Sequence, residues 1–250
     1  MGQMVIDYRV YKLSILQIVV VFALYLMAGV IVGFLFYDSL IPVVLWLPGV
    51  FPVLKAFSKN RCEARKRKLN MEFKELLYLL SANMSAGYSL EKSFALAKDE
   101  LSGMYQGKGY IQNEVDIILK GLEISVDVES LISSMAERSG IDDIAQWSDI
   151  VAVSKRSGGN LVKLMKQMAA GIDLRLEVED EIDTMVTSKR FEQNIMCAMP
   201  FIIVLYLRIC NPGYMDVLYQ NIVGRVVMTV SLFVVAFVYM WGRRLVDIHV

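Results

Sequence analysis

The sequence predicts an all-α integral membrane protein, with about four transmembrane helices in two hairpins around a cytoplasmic antiparallel six-helix bundle. Three observations carry this expectation. Hydrophobic residues make up 56% of the 250-residue chain, more than a soluble domain of this size usually holds. Long apolar runs lie near both ends, and the charged middle repeats its apolar residues every three or four positions, with no alternating strand pattern of any length. Basic residues collect beside the apolar runs on one predicted side. The expected divisions are an N-terminal transmembrane hairpin over 1–57, a helical block over 58–191 and a C-terminal hairpin over 192–250.

The first apolar run, Ser14 to Phe36, contains no charge. At about 1.5 Å per residue it can cross a hydrocarbon core of roughly 30 Å. It is too long for a typical signal-peptide core and no A-x-A-like site follows it, so it reads as a span. Ser39 to Leu54 is shorter and carries Pro42, Pro48 and Pro52, so a kinked or re-entrant segment is expected there. Gln193 to Leu207 and Val226 to Gly242 supply the second hairpin, with Arg208 placed to snorkel from the end of its span. Arg9, Lys12, Lys55, Lys59, Lys189, Arg190, Arg243 and Arg244 would share one side, which puts both termini in the cytoplasm.

Within the middle block, Leu69, Phe73, Leu76, Leu77, Leu80 and Met84 form one stripe, and Gly87 is placed to end that helix. Ser89 can cap the next. Further helical stretches are expected over Ser89 to Leu101, Tyr110 to Leu122, Asp127 to Arg138 and Asp142 to Arg156, with Gly103, Gly107, Gly109 and Gly140 as punctuation. A sixth starts at Asn160 and meets no breaker except Gly171 until Pro200, so it can lead straight into the third span. Its Leu161, Leu164, Met165, Met168 and Ile172 are the expected core face.

Charge is sorted within the block. Lys59 to Lys68 holds six basic residues against Glu63, whereas 69–190 holds 20 acidic and 13 basic residues. Arg61, Arg65, Lys66, Arg67 and Lys68 are expected at a membrane surface, where anionic headgroups attract such a run. The run lacks the aromatic or groove-reading partners of a nucleic-acid site, so no nucleic acid is expected as a partner. Glu177, Glu179, Asp180, Glu181 and Asp183 place like charges three and four residues apart on one helix. Each such pair costs an isolated helix a few tenths of a kcal/mol. Either a solvated face with ordinary counter-charges or a docking surface for a basic partner would offset that cost.

The stretch KRSGGNLVKLM from Lys155 to Met165 has the glycines and lysine of an anion site, but it lacks a preceding strand and a Ser or Thr after Lys163. It reads first as an interhelical turn, in which Gly158 and Gly159 take positive φ and Asn160 caps the following helix. The only histidine is His249, which argues against a multi-histidine zinc site and a Ser-His-Asp triad. Cys62, Cys197 and Cys210 are scattered and read as free thiols. No catalytic residue, metal or cofactor is expected. A transporter or channel would want ionisable groups in mid-span, and none lies there except Arg208 near one end. That leaves a small transporter or channel, or a membrane-anchored interaction module, as competing readings.

SAGYSLEKSF at Ser85 to Phe94, then SGGNLVKLM, then Met199-Pro200 and NPGY at Asn211 to Tyr214, together resemble the type II secretion system F-domain family over roughly 71–242. The hairpin, bundle, hairpin order is most similar to the TadB-like platform branch of Tad (tight adherence) pilus systems. Longer secretion platforms carry two copies of the helical domain, whereas one copy of each motif occurs here. The resemblance implies a non-enzymatic, oligomeric scaffold in the bacterial inner membrane. Its implied partners are a cytoplasmic hexameric secretion ATPase, a sister platform membrane protein, pilin subunits and the lipid bilayer.

Overall fold

The computed structural model describes residues 8–9, 13–37, 47–107, 109–157, 160–211, 213, 215, 218–219 and 221–246. Among them there is no strand, and eight helices follow in order: α1 Ile15–Tyr37, α2 Val50–Ser85, α3 Leu90–Tyr105, α4 Tyr110–Glu123, α5 Val128–Ser139, α6 Asp142–Ser157, α7 Leu161–Cys210 and α8 Ile222–Val246. A 3₁₀ turn, Leu47–Gly49, precedes α2. The chain divides into two compact units. One comprises Phe57–Val178 with Tyr8 and Arg9; the other comprises Leu13–Ala56 and Glu179–Val250.

In the first unit the expected stripe of α2 is the core: Leu69, Phe73, Leu76, Leu77 and Leu80 are fully buried and Met84 packs at their edge. The helix ends as the glycine predicts. Gly87 has φ +96°, its N–H donates to the Met84 carbonyl (3.0 Å), and Tyr88 N–H reaches back to the Asn83 carbonyl (3.3 Å). These are the two bonds of a glycine-terminated helix end. Ser89 then caps α3, its Oγ accepting from Lys92 N–H at 3.2 Å.

Gly103 does not interrupt α3. The helix runs on to Tyr105, whose ring packs at the edge of the core, and the reversal is made by Gln106 (φ 50°) and Gly107 (φ 77°). One glycine in a helix costs about 1 kcal/mol relative to alanine, which the packing of the following turn can offset. Helices α3 to α6 each pack on the next. At Gly121 of α4 an added Cβ would overlap the Leu131 side chain of α5, so glycine allows the close approach of those two helices. Trp147 of α6 sits edge-on to Phe73 (5.3 Å) and Phe94 (6.2 Å), joining α2, α3 and α6. From α7, Met165, Ala169, Ile172 and Leu176 complete the core, with Leu161 and Met168 packed against it.

The second unit is built differently. Three helical segments are long and apolar enough to cross a membrane: Ile15–Tyr37, a stretch within Leu161–Cys210, and Ile222–Gly242. Of the four expected spans, the first half of Ser39 to Leu54 lies outside the described residues; its second half is the 3₁₀ turn and the start of α2. Pro200 lies inside α7, which continues through it. Helices α1 and α8 pack on each other, with the Tyr37 hydroxyl 2.9 Å from Thr229 Oγ1. Leu35, Phe36, Met215 and Met228 form a small buried cluster here, and Phe36 meets Phe201 edge-on at 5.5 Å.

A buried charged cluster as candidate functional site

Three carboxylates are buried in the helical bundle; Asp143 of α6 is held by Arg175 (2.9 Å) and Asn70 (2.9 Å), and the other two form a cluster. Glu72 of α2 is 2% exposed and Glu114 of α4 is fully buried. Glu72 Oε2 accepts from the backbone N–H of Ile111 at 2.9 Å, so it serves as the missing cap of α4, whose N-cap residue, Gly109, has no side chain to offer. Gly109 is itself constrained, since a Cβ there would lie 3.2 Å from Tyr105 and 3.3 Å from Glu72 Oε2. Burial pushes the Glu72 carboxyl above its ordinary value, while the Ile111 N–H and the Lys68 charge oppose that rise.

Glu114 is held by Arg138 of α5, with Nη2 to Oε2 at 2.6 Å. Beside it sits Tyr8, far away in sequence and completely buried. Its ring meets Tyr110 edge-on at 6.0 Å and lies 5.3 Å from the Arg65 guanidinium. Burial, and then the neighbouring Glu114 charge, push the Tyr8 hydroxyl far above the usual phenol range, so it stays neutral and able to donate. The Tyr8 backbone is fixed on both sides. Its N–H donates to the Arg138 carbonyl (3.1 Å), and its carbonyl accepts from the Cys62 thiol (3.2 Å).

This arrangement gives the basic run a second set of partners. Arg61 is exposed, its guanidinium 5.2 Å from the Phe57 ring. Arg65 covers Tyr8, Lys66 donates to the Gly140 carbonyl (2.9 Å) and Lys68 lies 5.6 Å from the Tyr110 ring, while Arg67 is half-buried. The run lies within continuous α2, so its residues point around the whole helix, and three of the five reach the bundle.

The interhelical turn at Gly158 and Gly159 lies outside the described residues. Its neighbours are placed: Asn160 Oδ1 accepts from Lys163 N–H (3.0 Å), as a cap should, and Lys155 pairs with Asp127 (2.8 Å), the residue before α5, and with Glu129 (3.3 Å) of α5. In the acidic stretch of α7, Glu177, Asp180, Glu181 and Asp183 are exposed and Glu179 is half-buried. Glu179, Asp180 and Asp183 each take part in an interaction within the chain.

Sequence periodicity places Glu72 and Glu114 on apolar faces but gives no sign of Tyr8 as their companion. Among the described residues, no group of three or more His, Cys, Asp and Glu could hold a metal ion, and Cys62, Cys197 and Cys210 are free thiols. Comparison with known protein families, characterised proteins and solved structures finds no match to this chain.

Proposed function

We propose that the protein is an inner-membrane platform of a Tad-type or related type IV pilus or type II secretion machine, coupling a cytoplasmic secretion ATPase to pilin extraction and filament assembly. The observation that carries this reading is the architecture. A packed helical bundle with its own core is inserted in the chain between apolar helices of membrane-crossing length. The motifs behind the resemblance fall at its helix junctions: SAGYSL at the glycine-terminated end of α2, and the asparagine after the double glycine as the cap of α7. A scaffold needs helix junctions that hold their geometry rather than a reacting group, and the Glu72 cap of α4 is a junction of that kind.

In this reading the bundle and both termini face the cytoplasm, four spans form two hairpins, and the protein works beside a sister platform subunit. Detergent extraction with crosslinking tests it. Recovery of a hexameric secretion ATPase or pilin with the protein is the expected result; recovery of neither, in cells that assemble filaments normally without this chain, would defeat the reading. Reversing Asp180 and Glu181 to lysine tests the acidic stretch separately. Weaker ATPase recovery with an intact bundle assigns it to docking, and unchanged recovery leaves it a solvated face.

A further inference from the structure

The geometry points to a function for Tyr8 and Arg9: they form a reversible latch that seats in a polar groove of the bundle between α2, α4 and α5. The inference is independent of the machine the protein serves.

Five contacts define the groove, and each involves a group that helix packing alone would leave over. The Arg138 carbonyl, which accepts from Tyr8 N–H, belongs to the last turn of α5, where carbonyls have no partner within the helix. The Cys62 thiol, half-buried on α2, lies 3.2 Å from the Tyr8 carbonyl and 3.4 Å from that of Arg9. Tyr110 and Arg65 hold the Tyr8 ring at its edge and face. Glu114 lies beside its hydroxyl. Gly140 forms part of the rim: a Cβ there would lie 3.1 Å from Arg9 Cγ, in addition to the strain of its φ of +56°. The bundle is therefore shaped to the segment's backbone as well as to one side chain.

Reversibility follows from what the latch covers. With Tyr8 seated, the Glu114 carboxylate is wholly buried between Arg138 and the Tyr8 hydroxyl. Desolvating a charge pair opposes burial. When the segment leaves, Glu114 and Arg138 regain water and the Arg138 carbonyl finds solvent partners. Seated and released states are thus closer in free energy than a purely apolar plug would allow, which is what a two-state element requires. Only six residues separate Tyr8 from Ile15, the first residue of α1, so the chain itself links the latch to the first apolar helix.

The test uses the full chain in lipid nanodiscs, with Cys197→Ser and Cys210→Ser so that Cys62 is the sole thiol. Hydrogen exchange at the Tyr8 amide and alkylation of Cys62 by a small maleimide are measured together. Opening of the latch predicts that the Tyr8 amide exchanges at least about tenfold faster than core amides of α2 and α6, because a local opening needs less free energy than unfolding the bundle. Tyr8→Ala is expected to raise the alkylation rate of Cys62 by a similar factor while helical circular dichroism is retained. Tyr8 exchange that keeps pace only with the core would overturn the inference, as would unchanged Cys62 reactivity in a folded Tyr8→Ala protein. If that variant does not fold, the wild-type exchange comparison decides alone.

Discussion

Leu76 and Leu24 are the same residue in the same kind of secondary structure, yet Leu76 is fully buried and Leu24 is 56% exposed. The contrast extends to their surroundings. In the bundle, apolar side chains point inward and meet each other from six helices, so the protein supplies its own apolar solvent. Along α1, the second half of α7 and α8, large apolar side chains such as Phe34, Ile209, Val223 and Phe233 point outward, with only a small cluster between the helices. An exposed apolar surface of that extent needs an external apolar phase, and a bilayer is the phase that helices of this length fit. The two regions therefore obey opposite mutational rules.

The largest expected effect lies in the bundle. Trp147→Ala removes the side chain that joins Phe73 and Phe94, and large-to-small changes of this kind cost about 3–5 kcal/mol. Thermal unfolding followed by circular dichroism in detergent should show the loss, while membrane insertion is unchanged. Leu24→Arg should do the reverse. A charge near the middle of α1 costs roughly 2.5–3.5 kcal/mol of insertion free energy, yet touches nothing in the bundle core. Carbonate extraction of membranes would measure it. If Leu24→Arg left membrane association intact while Leu76→Arg abolished it, the assignment of the two solvents would be wrong.

A smaller effect tests a helix junction. Asn160→Ala removes the oxygen that accepts from Lys163 N–H, and loss of such a cap costs about 1 kcal/mol. The expected outcome is a modest fall in the bundle's unfolding temperature, with Asn160→Asp retaining most of the stability. Equal stability of wild type and Asn160→Ala would show that the turn, rather than the cap, positions the start of α7.

What was legible in the sequence follows the same division. The stripe from Leu69 to Leu80, the glycine stop at Gly87, the caps at Ser89 and Asn160, and the run of α7 from its cap past Gly171 all depend on residues a few positions apart, so local spacing carries them, whereas Pro200 reads as a breaker and the helix continues through it. Gly103 misleads because a single exposed glycine can be tolerated within a helix that packs beyond it. The buried cluster left a trace that periodicity alone does not interpret. Leu69, Glu72, Phe73, Leu76 and Ile111, Glu114, Val115, Ile118 repeat one spacing with a glutamate at an inward position. A carboxylate on a core face predicts a buried partner without naming it, and the partners here, Arg138, the Ile111 amide and Tyr8, are set by the tertiary fold.

The smallest effect concerns that cluster and has a definite sign. Burial raises the Glu72 carboxyl above its ordinary value of 4.5, and the Ile111 and Tyr110 amides with Lys68 pull against the rise, so only part of the burial effect survives. The folded chain then keeps the Glu72 proton to a higher pH than the unfolded chain. Between the unfolded value and the raised one, the folded state binds more protons, so stability falls as pH rises through that window and is flat in this respect on either side. Glu72→Gln retains an acceptor oxygen for the Ile111 amide and removes the titration. Unfolding temperatures of the two proteins, measured at intervals from pH 4 upward, should differ by a term that grows in favour of the glutamine variant as pH rises through the window, then stays constant. A difference that shrank with rising pH would mean that the Ile111 amide and Lys68 outweigh burial, and that Glu72 is held as a charged cap rather than as a desolvated acid.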